Sequence, residues 1–223
     1  MNQSLNLIQV NVILAVDEGG VLGLKEASPK SGSWLPWDSI PEDFANFRKL
    51  TTNKTVVMGS KTWFTLPEKY RPLPNRVNVV MSRTHTDASL GAVNKVIPCV
   101  DFDNLRRLCR VSDIREICVI GGKEIYSFFL SKDGVSGFEI ASIHRTLVSK
   151  NCAANESGVA LSQEEMQNFV RIPEMVDPIK GYSHLGFVCN GINPFPWGKI
   201  EFLSKPIAHD GLTTLSGNLL EAV

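Results

Sequence analysis

Glu116-Ile-Cys-Val-Ile-Gly-Gly-Lys-Glu-Ile-Tyr-Ser-Phe-Phe-Leu130 is the stretch whose reading decides the fold. Glu116 to Gly122 starts as a short apolar run ended by paired glycines, which reads as a buried strand, and Lys123 to Leu130 is helical by periodicity. The same unit stands earlier in the chain, where Lys54-Thr-Val-Val-Met-Gly59 runs into Ser60-Lys-Thr-Trp-Phe-Thr-Leu66. Outward from these units, Leu7 to Val16 is β-branched and aliphatic and reads as a strand buried on both faces. Val77 to Arg83 is a further strand, and Val96 to Val100 a weak one. Asp101 then caps a helix whose apolar stripe is Phe102, Leu105, Leu108 and Cys109. Strands alternating with helices predict an α/β domain with a mainly parallel central sheet and helices on both faces. Phe138 to Thr146 returns as a strand. A late pair, Leu185 to Asn190 and Lys199 to Leu203, joined through residues 191–198, closes the sheet antiparallel. Ser162-Gln-Glu-Glu165 reads as a capping box opening a helix to Val170. The domain is assigned to residues 1–205, with 206–223 a weakly structured C-terminal extension.

The strand-to-helix junctions carry the first chemical signal. Each presents unpaired helix amides, and the adjacent Gly121 and Gly122 permit close backbone approach and unusual geometry, including a cis bond. Lys61 and Arg83 follow two consecutive strands, an arrangement suited to holding a phosphate at one edge of a parallel sheet. An ordinary βα turn with a surface lysine is the competing reading of that segment. Asp17-Glu-Gly-Gly-Val-Leu-Gly23 breaks the first strand, but its spacing is neither G-x-G-x-x-G nor G-x-x-x-x-G-K, so it is weak as a nucleotide motif. Lys25 to Trp34 and Ser149 to Gly158 are polar and loop-like.

The second signal is Leu35-Pro-Trp-Asp-Ser-Ile-Pro-Glu-Asp-Phe-Ala-Asn-Phe47, which reads as a helix entrance with Ser39 as N-cap, Glu42 as its reciprocal partner and Pro41 in the first turn. Ile40, Phe44 and Phe47 recur at helical spacing, and Asp43 falls on the edge of their arc. A carboxylate there is half inside. A first-turn acid favoured by the helix dipole is the plainer alternative.

Composition removes other classes. The 223 residues are 43% hydrophobic and 21% charged with formal charge zero, which fits one globular domain and not a nucleic-acid platform. Arg106, Arg107 and Arg110 read as a solvated helix face. Five cysteines form no C-x-x-C pair and do not fit a secreted disulfide framework, and Cys109 reads as core. The four histidines make no metal-ligand spacing, so no metal is assigned. The N-terminus lacks a signal peptide, and no apolar run approaches ~18 residues. A cytoplasmic protein with no membrane or nucleic-acid partner is expected.

Taken together the chain resembles the dihydrofolate reductase family. The resemblance rests on Ile13-Leu-Ala-Val16 with Leu22-Gly23, and on Leu35-Pro-Trp37 with Asp43-Phe44 and Phe47. It continues through Val57-Met-Gly-Ser-Lys-Thr-Trp63, Pro67-Glu-Lys-Tyr-Arg-Pro-Leu-Pro-Asn-Arg76, Met81-Ser-Arg83, and Val119-Ile-Gly-Gly122 with Tyr126. These occur in the family's order from Leu7 to Thr146. The resemblance implies that family's three-layer fold and a monomer that reduces 7,8-dihydrofolate with NADPH in folate one-carbon and thymidylate metabolism, and that binds antifolates. It implies Asp43 as the acid that binds the pterin and assists protonation through water, and Trp37 as the residue ordering that water. Ile13, Phe44, Phe47, Leu66, Leu73 and Ile120 are implied as the folate wall, with Arg76 on the glutamate α-carboxylate. For the cofactor it implies the phosphate-facing junctions Gly59, Ser60, Lys61, Thr62 and Gly121, Gly122, Lys123, Glu124, Ile125. It further implies Met81, Ser82 and Arg83, of which Ser82 and Arg83 join Lys61 around the 2′-phosphate. Ala15, Leu22, Gly23 and Tyr126 are implied near the nicotinamide.

The chain also departs from the family's pattern. The loop between Gly23 and Pro36 is longer than usual, and Leu35 stands where many bacterial members carry methionine. The threonine that buttresses the acid is expected near residue 141, where Ala141 and Ser142 stand. Ser142 after a register shift, or a water, is the expected substitute. Beyond Thr146 the family's acidic-threonine segment is replaced by Glu156-Ser-Gly-Val-Ala. Two other readings remain at this stage: a riboflavin-pathway pyrimidine reductase of the same fold, and a scaffold that kept the fold without turnover.

Overall fold

The structure is a computed structural model that describes residues 7–27, 33–84, 96–131, 134–148, 158–161, 188–196 and 198–204. Its first half contains β1 Ile8–Asp17, β2 Val21–Leu24, α1 Pro41–Thr51, β3 Thr55–Gly59, α2 Ser60–Thr65, β4 Val77–Met81 and β5 Val96–Cys99. α3 Phe102–Val111, β6 Glu116–Gly121, α4 Lys123–Leu130, β7 Phe138–Val148, β8 Gly158–Ala160, β9 Val188–Phe195 and β10 Gly198–Ser204 follow. The main sheet has the order β5-β4-β3-β6-β1-β7-β10-β9. Neighbours from β5 to β7 are parallel, and β10 runs antiparallel to both β7 and β9.

Side-chain alternation along the central strands sorts the helices into two layers. Val10, Val12, Val57, Ile117 and Val119 face Leu105 and Cys109 of α3 and Ile125, Phe129 and Leu130 of α4. Their strand neighbours Ile13, Val56, Met58 and Cys118 face Phe47 and Leu50 of α1 and Trp63 of α2. Both faces of β1, β3 and β6 are covered, which is why those strands read as continuous apolar runs. Beside β7, the buried pair Arg145 and Glu201 joins opposed residues of β7 and β10 at 2.6 Å, with Lys199 Nζ 2.8 Å from the other carboxylate oxygen. Charges this deep are tolerated because they are paired.

The winding reverses between β3 and β6. From β3 the chain moves outward through β4 and β5, then returns to lay β6 between β3 and β1. A crevice at the carboxyl ends of strands, at such a reversal, is where open α/β sheets take ligands. Gly59 and Gly121 end the two strands there, and the Gly121–Gly122 peptide is cis.

Four local expectations are corrected. α1 begins at Pro41 with Ile40 as N-cap and no side-chain cap bond, so Ser39 lies one residue outside the helix. Proline at the first helical position supplies the fixed φ and needs no amide partner, which leaves the box without a role. The break after β1 holds a second strand. Asp17 is fully buried and its carboxylate accepts from Gly19 N at 2.9 Å and Val21 N at 2.8 Å, turning the chain into β2. β2 pairs antiparallel with β8, whose first residue ends the stretch read as loop. β9 extends through Phe195, so the connection to β10 is shorter than residues 191–198. By contrast Asp101 caps α3 as expected, accepting from Asn104 N at 2.7 Å. The helix expected from Ser162 to Val170 and the extension from 206 lie outside the described residues.

Candidate active site

Asp43 occupies the first turn of α1 and reaches the sheet, where Thr146 of β7 donates its hydroxyl to Asp43 Oδ1 at 2.5 Å. Thr146 is 2% exposed. Burial raises the carboxyl's pKa above its ordinary value, and the Thr146 bond opposes that rise by stabilising the ionised form. The free amides of the helix N-terminus act in the same sense as Thr146. Tyr126 of α4 lies close enough for the Asp43 charge to push its own pKa further upward beyond the effect of burial, and it donates to the Ile13 carbonyl at 2.7 Å. Trp37 is buried in a small cluster with Ile40 and Val148, flanked by Ala15 and Leu35. Ala15 lies directly across from Thr146 in the β1–β7 register. Trp37, Ala15, Thr146 and Asp43 therefore surround one position.

The apolar wall expected from the sequence is largely one surface. Ile13 and Leu73 are buried members of the cluster under α1 and α2, and Phe47, Leu66 and Ile120 pack against it. Phe44, next to Asp43, is 41% exposed. Arg76 ends this wall. Its Nε donates to Thr51 Oγ1 at 2.8 Å and one terminal nitrogen to the Pro74 carbonyl at 2.6 Å, and the guanidinium sits 5.7 Å from the Phe47 ring centre. Burial and the neighbouring Arg48 both pull its pKa down. With its stem fixed, the fork still has hydrogens on both terminal nitrogens for a planar anion, a geometry that lysine cannot reproduce.

The β3/β6 crevice adjoins Asp43 through Tyr126. Gly121 has φ +130°, and a Cβ there would meet Thr62 Oγ1 at 3.3 Å and the Tyr126 hydroxyl at 3.5 Å. A Cβ at Gly122 would meet Thr62 Oγ1 at 2.9 Å, so α2 and the junction pack with no space for a side chain. Gly59 pairs with Met81, which brings Ser60 and Ser82 to the same edge of the sheet. Lys61 and Arg83 are exposed there, and Lys61 Nζ lies 3.8 Å from Glu124 of α4, across the crevice. Lys123 is exposed beside Glu124, whereas Met81, Ile125 and Tyr126 are built into the core. Gly23 in β2 is tied to the approach to α1. Its neighbour Leu24 donates to the Trp34 carbonyl at 2.8 Å, and a Cβ on Gly23 would lie 3.1 Å from the same oxygen. Leu22 packs against the main core from that strand. A dinucleotide suits this crevice: side-chain-free backbone and α4 amides for phosphates, flanked by two exposed cations.

The expected gap beside Asp43 does not exist. Ala141 and Ser142 are not the partner of the carboxylate; Thr146, farther along β7, is. The register shift foreseen near residue 141 is real, with Val10 opposite Ile140 and Asn11 opposite Ser142, but it delivers a different residue. The Lys61–Glu124 contact across the crevice was also not anticipated, since opposite charges 63 positions apart leave no local pattern. Among the described residues, no group of three or more His, Cys, Asp or Glu is placed to hold a metal, and no helix is long and apolar enough to cross a membrane.

Residues 9–169 match the family model described as Dihydrofolate reductase. The chain is 30% identical over 159 residues to a dihydrofolate reductase of Candida albicans, covering 66% of this chain and 80% of that one. It is 36% identical over 124 residues to a dihydrofolate reductase of Mycobacterium tuberculosis, covering 56% and 66%. It is also 32% identical over 128 residues to a bifunctional dihydrofolate reductase-thymidylate synthase of Acanthamoeba polyphaga mimivirus, covering 54% of this chain but only 22% of that longer protein.

Proposed function

The chain belongs to the dihydrofolate reductase family, and from that premise we propose that it reduces 7,8-dihydrofolate to tetrahydrofolate with NADPH. The single observation that carries the reading is Asp43, half-buried at the start of α1 and hydrogen-bonded to Thr146, on the helix whose Phe47 packs on the apolar wall and lies beside Arg76. An ionised carboxylate so placed accepts two parallel hydrogen bonds from the aminopyrimidine edge of a pterin. Ile13, Phe47, Leu66, Leu73 and Ile120, with Phe44, enclose the ring system and the aromatic linker. Arg76 then meets the tail carboxylate as a planar fork.

The reaction adds a hydride to C6 and a proton to N5. NADPH, when bound, supplies the hydride. The protein's part is to hold the pterin, exclude bulk water and manage the proton. Asp43 keeps a proton within reach because burial raises its pKa toward the working range, while Thr146 and the helix amides stop it from becoming permanently neutral. Trp37 walls the same position and fits the role of ordering a water between the carboxylate and N5. Preference for NADPH over NADH follows from Lys61, Ser82 and Arg83 at the edge of β3 and β4, where a 2′-phosphate would meet two cations and a hydroxyl.

Mixing the protein with NADPH and dihydrofolate and following loss of reduced nicotinamide tests the reading. Oxidation that depends on dihydrofolate, stops with methotrexate and is lost in Asp43→Asn is expected. Cofactor binding without turnover would instead support a scaffold.

A further inference from the structure

Side chains of β7 change faces part-way along the strand. Phe138 and Ile140 pack toward α3 and α4, yet beyond them it is Ile143 and Leu147 that join that core. The inversion occurs at Ala141, an extra residue in β7 between the pairs Val10–Ile140 and Asn11–Ser142. A one-residue bulge moves every later side chain to the opposite face, and bulges between parallel strands are rare. Without it, Thr146 would point toward α3 and α4, away from Asp43.

The first side chain after the inversion is tied down. The Ser142 hydroxyl bonds to Asn11 Oδ1 on β1, and Asn11 Nδ2 donates to Glu116 Oε1 on β6. Lys54 Nζ, just ahead of β3, donates to the same Glu116 oxygen at 2.5 Å. An ionised carboxylate only accepts, so Glu116 fixes which end of the Asn11 amide faces Ser142. Ser142 then donates to Asn11 and accepts from His144 Nε2 at 3.2 Å. The chain of bonds crosses the sheet under α1, on the face that carries Thr146 one step beyond His144.

We propose that Ser142 and Asn11 are positioning residues for the reaction: their bond, set directly after the Ala141 bulge, locks the β1–β7 register that turns Thr146 onto Asp43. Ser142 thus does not replace the threonine beside the acid but keeps it there. The proposal rests on the reading of Asp43 given above, and its test separates the two. Among the described residues, the charged or titratable groups near this face include Asp43, Tyr126, His144, Cys118, Lys54, Glu116, Arg76 and Arg48.

The measurement is the carbon-13 NMR titration of the Asp43 carboxyl in the wild type, Ser142→Ala, Ser142→Thr and Thr146→Val, with thermal melts of each and the pH profile of turnover. Ser142→Ala is expected to raise the Asp43 titration midpoint by at least half the shift seen in Thr146→Val. Adding Thr146→Val to it should then give a smaller further shift than Thr146→Val gives in the wild type, and Ser142→Thr should restore the wild-type midpoint. Turnover should fall more than the KM for NADPH changes, since the β3/β6 crevice lies elsewhere in the sheet. Should Ser142→Ala not fold, Asn11→Ser, which removes the Oδ1 acceptor of the Ser142 hydroxyl together with the Nδ2 donor to Glu116, carries the same expectation. A wild-type midpoint in Ser142→Ala or Asn11→Ser, with Thr146→Val shifted, overturns the lock. No shift in Thr146→Val itself defeats the reading of the Asp43–Thr146 pair instead.

Discussion

Replacing Thr146 with valine removes one hydroxyl and almost nothing else. The residue is 2% exposed, so its shape matters, and valine keeps the branched outline at the β7 surface. What disappears is a 2.5 Å hydrogen bond to Asp43 Oδ1. Bonds to charged groups contribute about 1.5–3 kcal/mol, and this one favours the ionised carboxylate only, so proton affinity at Asp43 should rise about ten- to a hundred-fold. Turnover consumes a proton, so its rate declines as pH rises past the pKa of the group that keeps that proton available. In Thr146→Val the decline should move to higher pH, while pterin affinity at neutral pH weakens because less carboxylate is ionised. Steady-state rates across pH, paired with the NMR titration of Asp43, measure both. A folded Thr146→Val protein whose rate profile and Asp43 midpoint match the wild type would refute the reasoning.

Other expectations follow from the same geometry. Arg76→Lys should weaken dihydrofolate by about ten-fold or more while sparing NADPH, because a planar fork held by Thr51 and Pro74 is replaced by a point charge; equal affinities would count against the tail contact. Lys61→Ala with Arg83→Ala should erode discrimination between NADPH and NADH, and retained preference would place the 2′-phosphate elsewhere. Glu124→Gln should tighten NADPH by about two- to five-fold at low salt by releasing Lys61, an advantage that fades as salt screens this exposed pair. Direct titration that gives equal affinity at low salt would remove Glu124 from the cofactor's surroundings. Asp43 also has a stability signature. Its folded pKa is raised, so the ionised form costs stability above that pKa, and the cost disappears as pH falls below the unfolded value. Asp43→Asn should therefore melt higher than the wild type at neutral pH and lose that advantage in acid; a difference that grows in acid would contradict the burial of the charge.

Legibility in the sequence varied with how local each cause is. The units at Gly59 and Gly121 were readable because a short apolar run, a glycine and an amphipathic segment occur in immediate succession, and each piece shapes its own backbone. Alternating unit types then implied a parallel sheet with two helical layers, as found. Asp43, Arg76 and the wall between them were picked out by residue type and family order. Thr146 was missed because the partner of the acid was sought near residue 141 by family order, and the extra residue at Ala141, which decides which later side chain faces Asp43, leaves no mark in composition. β2 and β8 were hidden for a related reason: each is short and glycine-containing, and only pairing between segments distant in sequence makes them strands. The N-cap failed on a local competition, in which Pro41 starts the helix and displaces Ser39 from the cap position.

The most direct test of the central claim is the fate of the transferred hydrogen. With NADPH carrying deuterium at the reactive face of C4, mass spectrometry and NMR of the folate product should find one deuterium at C6 and a solvent-derived proton at N5. Asp43→Asn should form far less product at neutral pH. Tetrahydrofolate without deuterium at C6, or no tetrahydrofolate from a folded wild-type protein that binds both ligands, would contradict the account.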